Sequence, residues 1–546
     1  MYKKLILNMT ALLGLWFFGC NAAYATTWYV RDGGGSVYGT TAGTNVCNGQ
    51  VNAAYSSGVS PNCALSHPAL VMGAGDSGSG SGTTVLWTSG DTLYIDGDSD
   101  IAPGTQAQYM IGYGMPNSSG CSTGDEYNCW LLNVPAGISS SQPTQIIGTG
   151  THKPQLWGAT ATYQMLTVKN NYINLQWLEI TDHYACATND PTGGCSGTLA
   201  YATYGIVLSG TGINLTDVYV HGIGQYGIIT RDINGSMTFT RVWSIGNGFS
   251  GMNVGADGNT PVTGTMTFNQ PIVEWNGCVE AYPMAPGIDN PANYSNCFGQ
   301  QSGGYGDGLA FGPNGSLDPG SWILIGPGSI SFNTQDGLDI YHGTAGVGNV
   351  SIDKMRFEGN AGQQIKVGAL NFSLSNSTVI GDCGWWFGAA QSLSGGMPPG
   401  DSCRSDGDSV FFNVTNASTA NIYNYTIIAN GLTDLETQDG SGAGCNGATQ
   451  VNVYNNIILG GYDWVNNSTI RGTSKSDALV QYYYNTGNDG NGGGTCGNIS
   501  FNEDYNLLST LRYPTQCAGA HDKCGVNPNF TTGAFPLGAY QGGQNT

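Results

Sequence analysis

Three short segments in the middle of the chain repeat one pattern: Asp307-Gly308-Leu309-Ala310-Phe311, Asp336-Gly337-Leu338-Asp339-Ile340 and Gln363-Gln364-Ile365-Lys366-Val367. They begin 29 and 27 residues apart. In each, the third and fifth residues are apolar and the fourth is unconstrained, which is the alternation of a strand with one face buried. Earlier copies are Tyr204-Gly205-Ile206-Val207-Leu208, Tyr226-Gly227-Ile228-Ile229-Thr230 and Ser250-Gly251-Met252-Asn253-Val254, at steps of 22 and 24 residues. A coil of this length cannot bury its own apolar face, so the copies must stack. The expected fold is all-β, a single right-handed parallel β-helix. Leucine-rich repeats would need a persistent L-x-x-L-x-L frame, and a β-propeller would need longer repeats of up-and-down strands.

Stacking in phase predicts an outward column of Ala310, Asp339 and Lys366, spaced by about 4.8 Å per rung. Asp307 and Asp336 would then stack at the turn before the strand. An exposed acidic cluster with one lysine beside it is the expected chemical centre. The interval from Ser250 to Asp307 is too long for one rung and holds Cys278 and Cys297. It predicts a stapled insertion protruding beside that centre.

The rest of the chain agrees with an exported solenoid. Lys3 and Lys4, the apolar run Leu5 to Gly19 and Ala23-Tyr24-Ala25 form a secretory signal ending at residue 25. Lipid attachment at Cys20 is the less favoured alternative. The expected organisation is 1–25 signal peptide, 26–105 N-terminal cap and first strands, 106–515 β-helix and 516–546 C-terminal cap. No other stretch is apolar enough to span a bilayer. Fourteen cysteines besides Cys20 fall into near-sequence pairs: 47/63, 121/129, 186/195, 278/297, 383/403, 445/496 and 517/524. Such pairs suit disulfides of an oxidising compartment, whether secreted or periplasmic in a bacterium. With 36 acidic and 15 basic residues the net charge is −21, which disfavours nucleic acid as a partner. A monomer is expected.

Asp307, Gln335, Asp336 and Asp339 are the candidate metal ligands. Crowded carboxylates repel unless a cation lies among them, and Ca²⁺ takes oxygen donors of this kind. Asp-Gly is also a common turn pair, so turn capping is the competing explanation of each aspartate. Lys366 is the candidate base, its pKa lowered by a neighbouring dication, and the reaction would be β-elimination on an acidic polysaccharide. Arg356, Tyr341 and His342 are expected to touch substrate, with Tyr305, Trp385 and Trp386 as further aromatic candidates.

The start of the mature chain, Trp28-Tyr29-Val30-Arg31-Asp32-Gly33-Gly34, resembles the entry to secreted pectin lyase-like β-helix proteins. The central stretch is similar to pectate lyases of polysaccharide lyase family nine. Asp307-Gly308-Leu309-Ala310, Gln335-Asp336-Gly337-Leu338-Asp339 and Gln364-Ile365-Lys366-Val367-Gly368 correspond in order to that family's three site segments. The resemblance implies calcium ligation by Asp307, Asp336 and Asp339, a weaker contribution from Gln335, and a base at Lys366. Gln335 stands where the family has aspartate. Gln364 stands where it has glycine, predicting a narrower approach to Lys366. Two other functions fit a β-helix: a non-catalytic adhesin or surface protein, and a glycoside hydrolase. Asn333-Thr334-Gln335-Asp336-Gly337-Leu338-Asp339 partly resembles a polygalacturonase motif, but the Gly-His-Gly of those enzymes is replaced by Val220-His221-Gly222 and Tyr341-His342-Gly343.

Overall fold

The alternating segments form parallel ladders. A computed structural model describes residues 25–37, 46–57, 61–75, 85–116, 130–131, 134–158, 162–183, 201–231, 235–255, 264–297, 306–311, 320–340, 347–381, 409–413, 418–428, 435–438, 449–459, 483–484, 499–509 and 519–526. Each coil contributes strands to three sheets. Ile173–Gln176, Ile213–Thr216, Met237–Thr240 and Thr265–Asn269 succeed one another in the first. Glu179–Thr181, Tyr219–His221, Trp243–Ile245 and Ile272–Glu274 form the second. Tyr204–Leu208, Tyr226–Thr230, Ser250–Val254, Leu309–Phe311, Leu338–Ile340 and the start of Ile365–Ser375, which runs on into the first sheet, form the third. This is the β-helix expected from the repeats, and the hand favoured by parallel crossovers is right.

The repeat segments stack in the anticipated phase. Met252 pairs with Leu309, Leu309 with Leu338 and Leu338 with Ile365, so the inward side chains form one apolar stripe. Like residues stack in the first sheet too, with the Phe239 and Phe268 rings 4.9 Å apart. The bend between first and second sheets turns on single residues at φ of 48–61°, among them Trp177, Asp217, Arg241, Gln270, Asn376, Asn424 and Asn455. That conformation is costly for residues with a Cβ. Here the amide of each donates to the next coil, as Trp177 N–H does to Thr216 O and Asp217 N–H to Thr240 O.

The corner between second and third sheets carries a buried asparagine ladder. Asn247 Nδ2 donates to Asn276 Oδ1 (3.0 Å), Asn276 to Asn333 (2.8 Å) and Asn333 to Asn360 (2.9 Å). Asn360 Nδ2 then donates to Gln364 Oε1 (2.7 Å). A Cβ on Gly251, Gly308 or Gly337 would lie 2.5–2.6 Å from a ladder amide nitrogen, which explains the glycine in those repeats.

The first coil is covered by the short helix Ala69–Met72, whose four residues are all buried. Disulfides join Cys47 to Cys63 and Cys278 to Cys297. Cys524 is also disulfide-bonded. Its expected partner Cys517 and the pairs 121/129, 186/195, 383/403 and 445/496 lie outside the described residues, as do the signal segment and most of 516–546. No described helix is long and apolar enough to cross a membrane.

Candidate functional site

Two columns on the third sheet assemble the acidic site. Ala310, Asp339 and Lys366 are successive partners in the ladder, preceded by Asn253. The same register, counted back to the turn, aligns Ser250, Asp307, Asp336 and Gln363. Asp307, Asp336 and Asp339 offer carboxylate oxygens that all lie within 4.8 Å of one another. Lys366 Nζ donates to Asp339 Oδ2 at 3.0 Å and to Asp336 Oδ2 at 3.2 Å.

The expectation of an exposed cluster is corrected. Asp307, Asp336 and Asp339 are only 2%, 0% and 1% exposed. Part of the reason lies in the turns. Asp307 Oδ1 accepts the Asp336 amide (3.2 Å), and Asp336 Oδ1 accepts the Gln363 amide (2.7 Å). Each aspartate thus caps the turn one rung on, and turn capping coexists with the cluster rather than replacing it. Burial alone would lower the Lys366 pKa, but Asp336, Asp339 and Asp307 outweigh it and hold the ammonium well above the ordinary lysine range. The lowered pKa expected of a base beside a dication belongs to the metal-bound site; without an ion the charges nearest Lys366 are negative.

Gln364 is also corrected. It faces inward, fully buried, and closes the asparagine ladder; its Nε2 donates to Asn360 O at 2.9 Å. It does not stand over Lys366. Gln335 is buried at the same corner, its amide donating to Gly306 O and its carbonyl accepting from Gly362. Arg356 is not brought to Lys366. It lies on the second sheet, in register with Ser329 and Thr378, and its Nε donates to Glu358 at 2.6 Å. Tyr341, His342, Tyr305, Trp385 and Trp386 fall outside the described residues.

Several buried oxygens beside the aspartates have no hydrogen-bond partner among the described residues: Ser250 Oγ, Asn253 Oδ1 and Gln363 Oε1, with Thr334 Oγ1 at the adjoining turn. Such orphans are expensive unless a ligand or water completes them. An all-oxygen set of this kind fits a hard cation.

A second ionic cluster was not anticipated. His221 closes a second-sheet strand, and its Nδ1 meets Glu280 Oε2 at 2.6 Å while its Nε2 meets Glu179 Oε1 at 3.3 Å. His183 Nδ1 meets Glu280 Oε1 at 2.9 Å. Burial would drive the His221 pKa down, but Glu280 and Glu179 overcome this and raise it to about 10. Glu280 enters from the excursion stapled by Cys278–Cys297. That excursion has its own small core, in which Trp275, Tyr294, Ile245, Phe332 and Ala361 pack together. The only local hint in the sequence was Val220-His221-Gly222. Glu179, His183 and Glu280 are separated from it by coils and insertions whose phase no motif reports.

No protein-family model matches the chain, and no curated protein matches it. Among solved structures, the Dettilon tailspike protein (gp208) is similar at 12% identity with a TM-score of 0.28. The similarity covers 68% of this chain and 60% of the tailspike chain.

Proposed function

We propose that the protein is an exported lyase that cleaves an acidic, uronic-acid-containing polysaccharide, pectate-like in its chemistry, by β-elimination. The observation that carries this reading is the convergence of Asp307, Asp336, Asp339 and Lys366 from consecutive rungs, bordered by unpartnered buried oxygens. Asp307, Asp336 and Asp339 are the groups that would hold a calcium ion. Bound there, such an ion supplies electrostatic stabilisation to a uronate carboxylate as negative charge builds on it.

Lys366 begins protonated, held by Asp336 and Asp339. To act as base it must first lose that electrostatic support, after which its own burial favours the neutral amine. Neutral Nζ then takes the proton α to the uronate carboxylate. The freed electron pair forms the carbon–carbon double bond, and the glycosidic oxygen on the β carbon departs with the bonding pair. The backbone amides that fix Asp307 and Asp336 keep these carboxylates in place while Lys366 moves its proton. The net charge of −21 opposes approach of a polyanion, so binding is expected to depend on divalent cation.

The test is a screen of acidic polysaccharides at alkaline pH, with and without Ca²⁺, read by ultraviolet absorbance of the unsaturated product. Calcium-dependent absorbance that disappears in Lys366→Ala supports the lyase. New reducing ends without absorbance would instead indicate a hydrolase. One specific observation favours a second, non-catalytic reading: the lysine is already paired with two buried carboxylates, as in an internal ionic staple. A β-helix adhesin built this way would show neither product nor calcium binding.

A further inference from the structure

The second cluster lies outside the lyase reading and has its own chemistry. His183, His221 and Glu280 present donor atoms within 4.8 Å of one another. Both imidazoles turn Nδ1 toward the same carboxylate, at 2.9 and 2.6 Å. We propose that His183, His221 and Glu280 form a binding site for a zinc-class divalent ion, with Glu179 orienting His221 from its far side.

Two nitrogens and one carboxylate are a donor set that zinc accepts in tetrahedral sites with one further position open. Zinc–ligand bonds of about 2.0–2.1 Å place tetrahedral ligand atoms about 3.3 Å apart. Reaching that spacing lengthens the His221 and His183 contacts to Glu280, now 2.6 and 2.9 Å, by roughly 0.7 and 0.4 Å. Metal-bound histidines commonly donate their other ring N–H to a carboxylate, which fixes the tautomer. His221 has this arrangement, with Nε2 facing Glu179 Oε1 at 3.3 Å. Glu179 is itself held by Gln155 (2.6 Å) and Gln106 (2.8 Å).

The surroundings fix each ligand. His183 takes φ of 52°, its ring stacks on Tyr282 with centroids 4.2 Å apart, and its Nε2 is buried with no hydrogen-bond partner among the described residues. Gly222, at φ of 59°, leaves the space that Glu280 fills, since a Cβ there would lie 2.8–2.9 Å from the carboxylate. Glu280 sits two residues beyond Cys278, so the disulfide limits how far it can withdraw. Ligands from two successive coils and one excursion would be joined by the ion. A bound ion would thereby tie the excursion to the helix. Binding must displace the proton that His221 shares with Glu280, so occupancy falls as pH falls.

The experiment uses the full exported chain, stripped with a chelator and titrated with Zn²⁺ by calorimetry. Co²⁺ serves as a visible-absorption probe of tetrahedral coordination. The expected result is one equivalent of Zn²⁺ that displaces Co²⁺ and its intense visible bands. His183→Ala, chosen because its partly exposed position makes folding safest, should weaken binding at least tenfold, and Glu179→Gln about tenfold or more. Glu280→Gln should abolish the bands, whereas Asp336→Asn leaves them unchanged. Circular dichroism checks that each variant is folded. The proposal is overturned by no stoichiometric Zn²⁺ binding to the stripped protein. It is equally overturned by Zn²⁺ affinity and Co²⁺ bands in folded His183→Ala that equal those of the parent. Because these readouts involve no polysaccharide, failure of the lyase reading leaves them intact.

Discussion

The two ionic clusters occupy the same corner of the β-helix, yet they are assembled in opposite ways. The strand that follows His221 in its coil contains Ile229, and the coil of Asp307 lies two rungs further on, past Asn253. The coils of His221 and Asp307 are thus about 10 Å apart along the axis. The aspartate cluster is made by repetition: three coils each place a polar residue at the same phase. The histidine cluster is made by interruption, because its central carboxylate arrives on a disulfide-closed excursion. Their charge logic also differs. In one, a single ammonium is shared by Asp336 and Asp339. In the other, one carboxylate is shared by two imidazoles. A repetitive solenoid can therefore create chemistry from its period, but a donor that the period cannot supply has to be imported.

The largest expected effect tests the repetitive half. Lys366→Ala should destabilise the protein by about 3–5 kcal/mol, because two buried carboxylates lose their shared cation. It should also remove product formation by a factor of about 10²–10⁴ if Lys366 is the base. Denaturant unfolding and the absorbance assay separate the two effects. A variant that is destabilised but fully active would make the lysine a staple only.

The imported half depends on its closure. Replacing Cys278 and Cys297 together by serine opens a loop of sequence separation 19 and should cost about 3 kcal/mol. It should loosen Glu280 from His221 while leaving calcium binding at Asp336 unchanged. Equal loss at both sites, measured by parallel Zn²⁺ and Ca²⁺ titrations, would show that the clusters are coupled rather than independent.

Gln364→Gly probes the corner behind the aspartates. The Asn360 backbone amide would lose its acceptor and Asn360 Nδ2 would keep only Ile330 O, at a cost of about 1–3 kcal/mol. Activity per folded molecule should not rise, because Gln364 faces the ladder and not Lys366. A faster variant would restore the idea that this side chain obstructs the site.

The smallest effect concerns Glu274, which shares its column with His221, two rungs later. Burial pushes its pKa up to about 7. The acid binds its proton more tightly folded than unfolded, so its stabilising contribution is complete below about pH 4.5 and is lost as pH rises through about 7. Glu274→Gln should remove that decline, raising the midpoint at pH 8 relative to the parent by a few degrees at most. Parallel melting curves from pH 4 to 8 check this; identical slopes in the two proteins would contradict it.

The contrast also explains what could be read in advance. The pairing of Ala310, Asp339 and Lys366 was legible because side-chain direction follows the strand period and the repeats share a phase. Burial of the aspartates was not, since it depends on how turns close over one another. The role of Gln364 was misjudged for a related reason. Its neighbours in the ladder, Asn333 and Asn360, stand in turns whose alignment appears only when the coils are stacked. The histidine cluster was least legible. Residues 184–200 intervene between His183 and the next coil, and Glu280 lies inside an excursion, so sequence distance carries no information about their meeting.

The asparagine ladder also restricts how this site can change over generations. Each amide both gives and receives, so a one-residue insertion between Asn333 and Asp336 would leave two rungs mismatched. Insertions within an outward excursion, or gain and loss of an entire coil, leave the amide pairing whole. Distances among Asp307, Asp336, Asp339 and Lys366 are in effect quantised, adjustable in steps of about 4.8 Å and hardly at all between them. Altering specificity by small adjustments is therefore left to the side chains and loops around the corner, while the corner itself evolves by whole units.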